Sequence, residues 1–179
     1  MSVLSNRSID PPQERGAYSA AILDLLGNRE PLAVLTNTHA QLARAIDGLT
    51  PAQLRQPEAP GKWSIAQVLR HLADTEVVWG WRMRLILSHD RPAITGFDQD
   101  LWADRLHYAD SDVAQALDAF RVLRRDNIRL LERATPDDML RVGVHAERGE
   151  ESVAHLVRLY AGHDLAHLRQ IDRIRATVA

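Results

Sequence analysis

Residues 152–177 read SVAHLVRLYAGHDLAHLRQIDRIRAT, and the spacing of their inward positions decides the fold class. Val153, Leu156, Tyr160, His163, His167, Gln170 and Ile174 recur at three and four residue intervals, which is the period of one face of an α-helix. The stretch predicts a long helix with an interior seam. Two histidines one turn apart lie on that seam, so polar rings stand where a helical core is otherwise dry.

Three earlier segments carry the same period. Residues 31–49 place Leu32, Leu35, His39, Leu42, Ile46 and Leu49 on one face. Residues 64–88 open on Ser64 and Gln67, the spacing of a capping box, in which the hydroxyl accepts an orphan N–H and the glutamine reaches back. Residues 111–134 turn Val113, Leu117, Phe120, Leu123, Leu130 and Leu131 inward. A short helical piece is expected around Tyr18 to Leu26, and Thr50 and Pro51 mark a turn and the cap of another. Between the second and third long helices, residues 89–109 form a long loop with Pro92, Gly96, Phe97 and Trp102, long enough to cover something. Residues 142–145 could be extended. Four long amphipathic helices pack most economically as an antiparallel four-helix bundle, so the chain reads as all-α with up-and-down connectivity. Nothing splits residues 16–179 into smaller domains, and residues 1–15 read as a polar N-terminal tail that either docks or stays disordered.

Composition narrows the partners. The 179 residues contain no cysteine, which excludes a disulfide framework, a thiolate metal site and a cysteine nucleophile on the chain. With 22 basic and 24 acidic residues the formal charge is −2, which favours neither nucleic acid nor an anionic membrane. No run approaches the roughly 20 apolar residues that cross a bilayer, and the polar N-terminus lacks a signal-peptide core, so a cytoplasmic location is expected. Leu85, Ile86 and Leu87 broaden the apolar face of the second long helix and suggest a homodimer.

His163 and His167 can aim both imidazoles at one ion, although an isolated pair at this spacing is as readily two hydrogen-bonded core histidines. His71, two turns after the Ser64 cap, faces inward beside Val68 and Thr75 and makes a third. Three neutral imidazoles on two helices could bind Zn, Ni, Fe or Mn and leave positions open to water or substrate. His39 lies on the seam of the first long helix, as a core histidine or a fourth ligand. His89, His107, His145 and His155 read as surface or structural, with His145 the one placed to approach a pocket mouth. Asp74 and Glu76 could orient an imidazole or pair with Arg82 or Arg84, and Asn127 could fix helix register or touch substrate. Trp63, Trp79, Trp81 and Trp102 read as packing residues, Trp102 also as a cover for a pocket.

From Leu32 to Ile174 the chain resembles the DinB-like superfamily of metal-binding four-helix bundles, which includes bacillithiol transferases and mycothiol-dependent maleylpyruvate isomerases. The resemblance rests on the Trp63-Ser64 capped helix with His71-Leu72-Ala73-Asp74-Thr75-Glu76, on Trp79 and Arg82, and on His163-Asp164-Leu165-Ala166-His167-Leu168-Arg169-Gln170-Ile171. It implies that His71, His163 and His167 bind a divalent metal, where some members use a glutamate at the His163 position. It also implies a transferase that joins a low-molecular-weight thiol, such as bacillithiol or mycothiol, to a small electrophile. A metal-dependent hydrolase and a non-catalytic, stress-associated metal-binding bundle are the alternatives; catalytic residues are not assigned.

Overall fold

The computed structural model describes residues 12–178, so most of the expected tail, residues 1–11, lies outside the described residues. Helix α1, Pro12–Leu26, starts before the piece expected at Tyr18. The long helices are α2 (Pro31–Ile46), α4 (Ile65–Ser88), α6 (Val113–Leu131) and α8 (Val153–Val178), with short α3 (Pro51–Arg55), α5 (Gln99–Arg105) and α7 (Pro136–Leu140) between them. Capping explains where they begin. Glu30 accepts from the first turn of α2, Asp112 from Gln115 N–H of α6, and Ser64 and Gln67 form the expected capping box of α4. Helix α2 stops short of Leu49 because Gly48 takes φ +77°.

The four long helices form the expected bundle, with a connectivity other than the simple up-and-down alternation. Helices α4 and α6 run in the same direction: Ala66 meets Ser111, Glu76 meets Arg124, and Arg84 meets Asn127. Helices α2 and α8 also run together, since Thr38 meets Asp164 and Ala45 meets Arg175. The opposed pairs are α4 with α8, through His71 to His163 and Arg82 to Tyr160, and α2 with α6. In chain order the helices run up, down, down, up, and α2 sits diagonally across from α4. Two parallel neighbours joined in sequence demand a connection that returns along the bundle. Helix α4 has 24 residues, about 36 Å at 1.5 Å per residue, and this is the distance the long connection covers.

That connection is not a bare loop. It contains β1 (Ala93–Ile94), α5 and a 3-10 turn at Tyr108–Asp110. Strand β1 pairs in parallel with β2 (Val142–His145), the segment expected to be extended, and β2 pairs antiparallel with β3 (Gly149–Ser152). A Cβ on Gly143 would lie 2.3 Å from Ile94 Cδ1, so only glycine lets this small sheet close on α4.

Two apolar clusters fill the bundle. One gathers Ile22, Leu26, Leu35, Trp79, Met83 and Leu156; the other gathers Leu42, Leu69, Leu72, Phe120, Ile171 and Ile174. On each long helix a buried polar residue falls between the two: Thr38, Glu76, Arg124 and Asp164. Arg124 bonds Asp164 at 2.6 Å and Glu76 at 2.7 Å, Thr38 donates to Asp164 at 2.7 Å, and Asn127 donates to Glu76 at 3.0 Å. Burial raises the Glu76 pKa, with Arg124 opposing; burial works against Arg124's charge, yet its two carboxylates push its pKa up. Asn127 is therefore turned into this buried network, where it ties α6 to α4 through Glu76.

Among the described residues no helix is long and apolar enough to cross a membrane.

Candidate metal centre

His71, near the start of α4, and His163 and His167, mid-way along α8, meet because those two helices are opposed neighbours. His163 Nε2 lies 3.2 Å from His71 Nε2 and 3.1 Å from His167 Nε2, and the three donor atoms all lie within 4.8 Å of one another. Two nitrogens bound to one ion at about 2.0–2.1 Å, at tetrahedral or octahedral angles, stand about 2.8–3.4 Å apart, so both short separations suit a common ion.

Hydrogen bonds serve this arrangement in part, with Thr75 Oγ1 also 3.4 Å from His71 Nε2, and a cation serves it more fully. His163 Nε2 has one in-plane position and two facing nitrogens: as an N–H it offers no lone pair, and as a lone pair it accepts a single hydrogen. A central cation meets three lone pairs at once. His167 Nδ1 is 2.8 Å from Gln170 Oε1; Nδ1 donates there, which leaves the Nε2 lone pair pointing at the cluster. Nδ1 of His71 and of His163 are buried with no hydrogen-bond partner among the described residues. Burial favours the neutral form of all three rings. Burial holds His71 and His163 well below the ordinary value of 6.5, with neighbouring imidazoles adding to it, and burial also lowers His167 against the Gln170 bond.

Aromatic rings fence the cluster. Trp63, just before the Ser64 cap, lies 5.1 Å from the His71 ring, and Phe97 of the long connection stacks on it at 6.5 Å. Beyond them a cavity of about 70 Å³ opens, lined by His71, His163, Thr75, Arg82 and Tyr160 on one side. Its other walls include Ile22, Phe97, Leu156 and Leu159. No carboxylate is among its described lining residues. Helix α1 reaches it because Gly162, one residue before His163, would put a Cβ 2.1 Å from the Ile22 carbonyl oxygen; any side chain there would push α1 away.

Other expected residues lie elsewhere. His39 is half-buried between α2 and α6 near Arg121 and Asp118, so it is not a fourth ligand; burial lowers its pKa, and Arg121 adds to that. Asp74 pairs with Arg70, and Glu76 with Arg124, so neither meets Arg82 or Arg84; Arg84 pairs with Asp126. His89 and His107 are exposed, His155 is half-buried, and buried His145 accepts the Glu147 N–H at 3.2 Å without lining the cavity. Trp79 is fully buried, stacked on Tyr160 at 4.8 Å, whereas Trp81 is 62% exposed and packs no core. Phe97 covers the cavity; Trp102 packs behind it at 4.8 Å. The pairing of Arg82 with Tyr160 and the role of Gln170 were not anticipated, although Tyr160 stands one turn before His163 and Gln170 one turn after His167.

A bundle of this connectivity, with three inward imidazoles beside a cavity, defines a helical protein with a ligand set suited to one divalent ion. The chain belongs to the DinB superfamily, whose sequence profile matches residues 35–171. It is 30% identical over 135 residues, 75% of this chain and 78% of the relative, to a Bacillus mycoides protein named "Putative metal-dependent hydrolase". It is 27% identical over 146 residues, 79% of this chain and 82% of the relative, to YfiT of Bacillus subtilis, which carries the same description. The solved structure of YfiT, described as "a probable metal-dependent hydrolase with an unusual four-helix bundle topology", superposes with a TM-score of 0.76 at 23% identity, covering 95% of this chain and 90% of YfiT.

Proposed function

We propose that His71, His163 and His167 hold one divalent ion, of Zn, Ni, Fe or Mn type, and that the protein is a metal-dependent enzyme transferring a low-molecular-weight thiol to a small electrophile. The observation that carries this reading is the convergence of three neutral imidazoles beside a cavity whose described lining offers no carboxylate base. When bound, such an ion favours the ionised form of a nucleophile and adds positive charge beside the reacting atoms. The chain's own residues supply the rest. Gln170 orients His167; Phe97, Leu156 and Leu159 keep bulk water from the rings; Arg82 and Tyr160 present polar hydrogens across the cavity.

A thiol suits a site without a base better than water does, because its ordinary pKa, about 8.5, is already near neutrality. Having no cysteine, the chain must take that thiol from solution, as a bacillithiol or mycothiol type cofactor. The second reading is hydrolysis, favoured by the description of the relatives. Both follow from one experiment: metal analysis of protein purified without added metal, then a thiol panel with a generic electrophile on loaded, chelated and His71→Ala protein. Thiol-dependent turnover lost on chelation supports the transferase. Turnover with water alone replaces it with the hydrolase, and no metal-dependent turnover leaves a non-catalytic metal-binding bundle.

A further inference from the structure

Arg82 is a buried cation for which no described residue supplies a counter-ion. It is 7% exposed and lines the cavity beside the three histidines. A guanidinium has five N–H donors. Nη1 donates to Tyr160 Oη at 3.1 Å and Nη2 to the Thr95 carbonyl at 2.7 Å, while buried Nε finds no acceptor among the described residues. Neither acceptor is charged, and no described carboxylate forms an ion pair with Arg82. The other cavity cation differs: Arg148 is matched by Glu151, which accepts from Nε at 2.6 Å and from Nη2 at 2.8 Å. The other buried cation, Arg124, has two carboxylates.

An uncompensated buried charge is strongly destabilising, and a site that keeps one is suited to an arriving anion. Tyr160 strengthens the case. Its hydroxyl oxygen is occupied by Arg82, so its own hydrogen is left to donate. The lining of Ile22, Leu156 and Leu159 admits an apolar stem, and about 70 Å³ has room for a small group only.

We infer that Arg82 and Tyr160 form an anion subsite, and that the small substrate carries a carboxylate held there, with its reactive carbon directed at the three-histidine centre. This deepens the proposed function by naming its substrate class and rests on that reading. The subsite's binding does not require the ion, so it is tested without one.

The experiment titrates acetate against acetamide, its neutral isostere, at constant ionic strength into chelated wild-type protein, followed by calorimetry and by the backbone resonances of α4 and α8. Saturable binding of acetate and none of acetamide is expected. Arg82→Gln should weaken acetate roughly tenfold to a hundredfold, the loss of a charged hydrogen-bond partner, with Arg82→Lys retaining part of the affinity. Should Arg82→Gln lose its helical signal, Tyr160→Phe, which keeps the cation and removes the donor, should still weaken acetate several-fold. Equal response to acetate and acetamide, or undiminished acetate binding in folded Arg82→Gln, overturns the inference. Failure to load a metal would remove the proposed function while leaving acetate binding to the chelated protein unchanged, so the two failures are distinguishable.

Discussion

At the scale of single residues, the centre depends on which ring nitrogen carries each proton. Gln170 accepts from His167 Nδ1 and so fixes the lone pair on Nε2, whereas His71 and His163 have no such partner. Gln170→Ala should therefore weaken metal affinity about tenfold to a hundredfold, read by competition with a coloured chelator, while helicity is kept. Unchanged affinity would show that His167 is oriented by packing alone. The convergence of the three histidines was legible in the sequence because the helical period puts His163 and His167 on one face and the Ser64 cap fixes the phase of His71. The surroundings were not. Arg82 and Tyr160 are far apart in the chain, and their meeting depends on the direction in which α4 and α8 pass each other. The Glu76 partner is hidden for the same reason, since Arg124 stands on α6, whereas Asp74 takes Arg70, an i,i+4 neighbour that local spacing does offer.

At the scale of elements, the period and the caps located all four long helices to within a few residues, but a hydrophobic stripe has no direction. The long connection after α4 was the only trace of the parallel α4 and α6 pair, and it reads equally as a loop that covers a site. The buried layer of Thr38, Glu76, Arg124 and Asp164 then locks that arrangement, since it takes one residue from each long helix. Arg124→Met should cost about 3–5 kcal/mol in urea denaturation, because two carboxylates lose their cation. Without Arg124 to oppose it, burial holds the folded pKa of Glu76 above its unfolded value. The folded variant then takes up protons first, and its deficit should shrink as pH falls towards about 4.3. A deficit independent of pH would assign the loss to packing. Gly162→Ala tests the other close approach: the added methyl meets the Ile22 carbonyl, so α1 should lift from α8, with faster amide exchange in α1 and little change in α6.

At the scale of the whole molecule, two features carry predictions: an exposed apolar face on α4 and the three-histidine cluster. Ile86 is fully buried and Leu85 and Leu87 half-buried, so the dimer expectation passes to Val77 and Trp81, 51% and 62% exposed and one turn apart. Both line a groove of about 270 Å³ together with Leu85 and Trp102. An apolar groove with an exposed ring in its wall can be self-complementary, as a two-fold interface requires. A dimeric mass at micromolar concentration, reverting to monomer in Trp81→Glu, is expected; a monomeric wild type removes the idea. A metal at the three histidines would couple more deeply to folding, because it would tie α4 to α8 across the opposed pair. At a free-ion concentration 100 times the dissociation constant, binding to the folded state alone adds about 2.7 kcal/mol, or about 5–10 °C in Tm for a chain of this size. The chelated protein has its own pH dependence. Burial lowers the folded pKa values of His71, His163 and His167 below the unfolded value of about 6.5, so between those values the unfolded chain holds more protons. Their contribution is present in full above about pH 6.5 and is lost as the pH falls towards the depressed folded values. Scanning calorimetry from pH 7.5 to 5.5 should show the chelated Tm falling. The loaded Tm should fall further over the same range, since protons compete with the ion for the same lone pairs. A Tm that is the same with and without the ion at pH 7.5 would mean that the three rings bind no metal in the folded protein.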